Sequence, residues 1–174
     1  MHCSKLLGIA VATLVSASVA NAGSAPTTAR MAMQLFADHC FSPYMTAAKA
    51  RETFSLKGVD HDFYDLDPFS SAAPSPATGR AVTPGTDRRC EVSFAGDHAE
   101  NAASAAVRGL AVEKILQPAD LPASYTETAT TTLLAARRLN PRRVAVVHVA
   151  TRGAANTLET FMLVERLAPS HSTN

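Results

Sequence analysis

Three closely spaced runs near the C-terminus dictate an antiparallel sheet: "TTTLLAARRL" (130–139), "RRVAVVHVAT" (142–151) and "LETFMLVERL" (158–167). Their β-branched and bulky side chains suit a pleated, half-buried surface. Only Asn140-Pro141 separates the first two, a tight connection consistent with a hairpin. A fourth run, "RRCEVSFAG", alternates Cys90, Val92 and Phe94 with Arg89, Glu91 and Ser93. It reads as a half-buried strand that aims Cys90 inward.

Helical spacing lies upstream and between these runs. In "TTARMAMQLFADHC" the residues Ala32, Leu35, Phe36, His39 and Cys40 share one stripe. "SPYMTAAKARETFSLKG" opens with Ser42 as a cap and Pro43 at the first helical position, and closes at Gly58. "GDHAENAASAAVRGLAV" begins with Asp97 and Glu100 in capping-box spacing. Its stripe of Ala99, Ala102, Ala103, Ala106, Val107 and Leu110 allows close approach to a neighbour, with Gly109 as an early stop. "SSAAPSPATGRAVTPGTD" (70–87) has no period and reads as a long Pro/Ser-rich surface loop. The expected architecture is a two-layer α+β domain, with helices packed on one face of an antiparallel sheet of about four strands.

The N-terminus reads as an export signal, residues 1–22. His2 and Lys5 precede the apolar run Leu6 to Val15, and Ala20 and Ala22 occupy the small-residue positions of a cleavage site. The run falls short of the about 20 apolar residues of a membrane span. Its removal leaves 174 − 22 = 152 residues (23–174), one domain, with 15 Lys+Arg against 15 Asp+Glu because Lys5 is lost. A balanced charge excludes the positive field of a nucleic-acid binder. Cys3 is also lost, so Cys40 and Cys90 remain, and an even count in an exported chain points to a disulfide. That bridge matters more than usual here, because the chain has no Trp and only 6% aromatics. The expected location is periplasmic or secreted, with no transmembrane segment after cleavage.

Two constellations could carry chemistry. "GVDHDFYDLDPFS" gathers Asp60, His61, Asp62, Asp65 and Asp67, ligand types that suit Ca²⁺ or a transition metal. Its spacing does not match a calcium loop, since Asp65 stands where Gly is required and Ser71 where Glu is required. A turn-rich polar segment anchored by Phe63, Tyr64 and Phe69 is the competing reading. The second constellation, "ARRLNPRRV", brings Arg137, Arg138, Arg142 and Arg143 around the hairpin turn, where guanidinium forks could hold an anion. Alternation along a strand lets at most half of them converge. His148, among valines, reads as a hydrogen-bonded core residue. Motifs for a nucleophile elbow, zinc hydrolase, redox dithiol, P-loop or dinucleotide fold are absent, and no cofactor is expected.

The export signal, "LFADHC" on an early helix, Gly58, the strand "RRCEV" and the alanine-rich helix together resemble small secreted two-cysteine proteins of alphaproteobacteria. That resemblance implies a two-cysteine periplasmic α+β domain and carries no activity or site residues. The sequence therefore leads to an exported, non-catalytic binding or accessory module of the cell envelope, whose partner is an envelope protein or an anionic ligand. The alternative is a metal-binding, hydrolytic protein centred on residues 60–67.

Overall fold

The computed structural model describes residues 26–69, 72–78, 80–154 and 156–172. The expected signal segment, 1–22, lies outside them. The elements run α1 (Thr27–His39), α2 (Ala47–Thr53), β1 (Asp60–Asp65), β2 (Ser75–Thr78), β3 (Thr86–Ala95), α3 (Ala99–Val112), β4 (Pro118–Ala119), β5 (Thr131–Asn140), β6 (Arg143–Arg152), β7 (Glu159–Leu167) and α4 (Pro169–Ser172).

Among the described residues the strands join one antiparallel sheet in the order β2-β1-β3-β7-β6-β5-β4. Seven strands replace the expected four, and this is the main correction to the fold. Three of them escaped pattern reading for physical reasons. The acidic stretch 60–65 is not a turn-rich loop but β1, paired along its whole length with β3 from Asp60↔Ser93 to Asp65↔Arg88. The Pro/Ser-rich segment 70–87 contains β2 and the start of β3. β4 is two residues long and carries no periodicity at all.

One sheet face packs against helices. Phe63, Cys90, Val92, Val147, Val149, Met162 and Val164 meet Ala32, Phe36, Ala102 and Ala106 of α1 and α3 in one core. The alanine stripe of α3 brings it against α1 as well as the sheet. Gly109 does not end that helix, which runs on to Val112. A Cβ at Gly109 would sit 2.6 Å from the Phe41 ring and 2.7 Å from the Ala37 carbonyl oxygen. Hydrogen there is what lets the two helices touch.

Cys40, just past the end of α1, is bonded to Cys90 in the middle of β3, with a Cα–Cα separation of 5.5 Å across 50 residues of chain. The disulfide ties the first helix to the centre of the sheet.

The opposite face is also covered, so β3 is buried on both sides rather than half-buried. A small cluster of Ala136, Val144, Val146 and Leu167 packs with Tyr125 there. Thr83 and Tyr125, from the connections before β3 and β5, both reach Glu165 at 2.5 and 2.8 Å. α2 begins at Ala47, capped by Thr46 Oγ1, which accepts from the Lys49 amide at 3.3 Å. The expected cap at Ser42 is diverted into a turn, where its carbonyl accepts from Arg88 Nη2 at 2.5 Å. Gly58 does close this region, in the left-handed conformation at φ 69°.

Candidate functional site

Charged residues lie buried on both faces of the sheet, and each set has a distinct arrangement. Burying an ion costs several kcal/mol unless partners compensate it, so the way each set is balanced decides what it can do.

On the face away from the helices, Glu91 and Glu165 sit on the central strands, each 2% exposed. Arg89 lies between them, ion-paired to both and 2.6 Å from Glu165 Oε1. Arg152 adds a contact to Glu91 at 2.6 Å and continues to Glu159. Arg80 bridges Glu91 at 3.5 Å and Asp62 at 3.1 Å. Burial, and then the Glu91 charge, push the Asp62 carboxyl above its usual range, against the opposing pull of Arg80. Burial likewise raises the Tyr125 phenol, with Glu165 adding to it. The acids here are held by arginines in a structural network, in which Arg89 Nε is buried and lacks a hydrogen bond among the described residues. A polar cavity of about 250 Å³ borders it, lined by Asp60, His61, Asp62, Glu91, Ser93 and Arg152.

The helix-covered face differs. Where β3, β5, β6 and β7 run past the ends of α1 and α3, a cavity of about 240 Å³ opens. Its apolar wall comes from Phe41 and Pro43 after α1, Leu110 and Ile115 at the end of α3, Leu139 at the hairpin turn, and Val164 of β7. Its polar wall is lined by three arginines, Arg88 of β3, Arg143 of β6 and Arg166 of β7. Asn140 and the exposed Glu113 complete the rim, beside Phe69.

The arginines are ordered by three aspartates. Arg166 donates through Nε to Asp87 Oδ1 at 2.6 Å and through Nη2 to Asp65 Oδ1 at 2.8 Å. Arg88 pairs with Asp65 Oδ2 at 3.4 Å and lies over the Phe63 ring, 5.6 Å from its centre. Burial pushes the Arg88 guanidinium down to about 10, with Asp65 opposing the fall. Arg143 is ion-paired to Asp87 and to Asp67. Asp65 Oδ2 is buried and lacks a hydrogen bond among the described residues.

The predicted site residues are thereby dispersed. Asp65 and Asp67 join the arginine cluster, while Asp62 faces the other side and pairs with Arg80. Asp60 is exposed, and His61 lies against Phe54, with ring centres 5.2 Å apart. Among the described residues no three His, Cys, Asp or Glu side chains gather as a metal ion requires.

Of the four hairpin arginines, only Arg143 lines the cavity. Arg137 donates to the carbonyl of Ala136 at 3.0 Å, Arg142 is exposed, and Arg138 borders a separate pocket with Val144 and His171. His148 lies near Thr131, with Nε2 3.1 Å from its Oγ1, and burial lowers its pKa. Arg88, Asp87 and Arg166 were not singled out by sequence reasoning. A charge repeated within a strand that otherwise packs on a core was the available signal.

No helix among the described residues is long and apolar enough to cross a membrane. No family model, no curated protein and no solved structure matches this chain.

Proposed function

We propose that this protein is an exported, non-catalytic binding module of the cell envelope, stapled by Cys40–Cys90, and that its binding site is the arginine-walled cleft. The observation that carries the reading is a cavity of about 240 Å³ with one apolar wall and one wall lined by three aspartate-paired arginines. Concave, mainly apolar sites with a few placed polar groups are the usual form of a small-molecule site. The rings and aliphatic groups supply contact area, and the guanidinium groups supply orientation. Among the described residues that line the cleft no nucleophile stands beside a base, which favours binding over catalysis. The disulfide and the N-terminal export pattern both favour an oxidising compartment.

The cavity has room for about eight waters, at about 30 Å³ each. That sets the probe: a compact molecule with an aliphatic body, such as octanol. Titration of the isotopically labelled protein with octanol to millimolar concentration, followed by amide chemical shifts, tests the reading. Shifts should gather at Phe41, Leu110, Ile115 and Val164. They should vanish in Ile115→Trp, which fills the cleft from its rim. Shifts spread evenly over the surface, or unchanged in that variant, would remove the cleft as a site. Addition of Ca²⁺, Mn²⁺ or Zn²⁺ to chelated protein distinguishes the metal alternative, because an ion bound to the folded state raises the melting midpoint by mass action.

A further inference from the structure

We infer that the cleft takes a small amphipathic monoanion, an organic carboxylate with an aliphatic body, whose head group replaces the carboxylate of Asp67 on Arg143. This rests on the cleft being the binding site and names the class of ligand it takes.

Charge balance within the cluster supports it. Arg88, Arg143 and Arg166 are the three arginines that line the wall. Two of their three carboxylates are buried, Asp65 at 1% and Asp87 at 7% exposure. The third, Asp67, has a side chain 61% exposed, although its partner Arg143 is only 14% exposed. Three largely buried cations are therefore matched by two buried anions and one anion that remains mostly in water. A carboxylate in water is screened and weakly held, whereas a carboxylate delivered into the cleft by an apolar body is not.

Geometry agrees with the charge count. Asp67 follows the end of β1, on the same short segment as Phe69, whose side chain is exposed at the cleft rim. The segment is anchored to the wall through the Asp67 carbonyl, which accepts from Arg166 Nη2 at 2.5 Å. The side chain can therefore leave Arg143 while the backbone stays in place. Arg166, whose Nε and Nη2 are held by Asp87 and Asp65, lines the cleft beside Arg143. Guanidinium forks favour bidentate carboxylates. Exposed Glu113 on the rim opposes any anion, and removing it should help.

The test compares octanoate, octanol and octylammonium by amide-shift titration of the oxidised protein made from the full chain. Octanoate should bind at least tenfold more tightly than octanol, and octylammonium more weakly than either. Asp67→Asn should tighten octanoate binding about threefold or more and leave octanol unchanged. Arg143→Gln should abolish the preference for octanoate over octanol. Asp67→Asn alters an exposed side chain, so it stays informative if Arg143→Gln does not fold. Octanol binding as tightly as octanoate in the cleft would overturn the head-group assignment while leaving the cleft as a site. Failure of all three probes to bind would overturn both. Octanoate affinity indifferent to Asp67→Asn would overturn the displacement of that carboxylate.

Discussion

Replacing Gly109 with alanine sets two opposing effects against each other, and the structure decides between them. Gly109 lies within α3, where glycine is about 1 kcal/mol less favourable than alanine. On propensity alone, Gly109→Ala stabilises the protein. The added Cβ, however, would stand 2.6 Å from Cδ2 and Cε2 of Phe41 and 2.7 Å from the Ala37 carbonyl oxygen. The ring could turn, but the carbonyl belongs to the backbone of α1 and can move only if the helices separate. Overpacking of this kind costs about 1–3 kcal/mol, and a clash with backbone belongs at or above the upper end. The net result should be destabilisation of about 2 kcal/mol, lowering the midpoint by about 4–8 °C for a domain of this size. Urea unfolding followed by circular dichroism measures it. Ser104→Ala, at an exposed site on the same helix, is the control and should stabilise by a few tenths of a kcal/mol. Because Phe41 also lines the cleft, the glycine variant should weaken octanol binding as well. A neutral or stabilised Gly109→Ala would show that the α1–α3 contact does not exist as described.

Reduction of Cys40–Cys90 should cost about 4 kcal/mol, from the entropy of releasing a 50-residue loop, and denaturant unfolding with and without reductant reads it directly. Asp62, its carboxyl raised by burial and by Glu91, carries an ionisation penalty absent below the unfolded carboxyl pKa and fully present above the raised folded value. Asp62→Asn should therefore gain stability relative to the parent as pH rises from about 3 to 7, and a gain confined to low pH would refute that sign. His148 is alike in origin, since burial is again the leading cause, but opposite in direction. Burial lowers its folded pKa, so the unfolded chain binds the extra proton first, and stability falls as pH drops through about 6.5. In His148→Gln that acid-side loss should shrink, measurable as a flatter midpoint between pH 7 and pH 5.

The hairpin and the disulfide were readable because their signals are local. "RRVAVVHVAT" is a β-branched run beside a two-residue turn, and it became β6, paired with β5 and β7. Cys40 and Cys90 needed only an even count and a helix and strand to carry them. The cleft depends instead on partners distant in sequence. Asp65 and Arg166 are held together at 2.8 Å across 101 residues, and Asp87 reaches Arg166 across 79. Nothing near Asp65 announces those arginines, so β1 looked like an acidic loop when its acids were in fact partners of neighbouring strands. Arg89 and Glu91 likewise looked like the solvent face of β3, because the sequence does not show that a second layer of connections covers them. β2 and β4 were missed for a simpler reason. "SPAT" has little intrinsic strand preference, and two residues have no period. The hairpin arginines were grouped by proximity in sequence, although strand alternation and the turn send only Arg143 into the cleft.

The decisive measurement is a crystal structure of the oxidised protein grown with octanoate near its solution dissociation constant. A binding cleft of the kind described requires the aliphatic chain to lie along Phe41, Leu110 and Ile115. Its carboxylate should then stand within hydrogen-bond distance of Arg143, with the Asp67 side chain turned out to solvent. Octanoate seated elsewhere, or an empty cleft with Asp67 still paired to Arg143, would show that this cavity is a feature of packing and not a site.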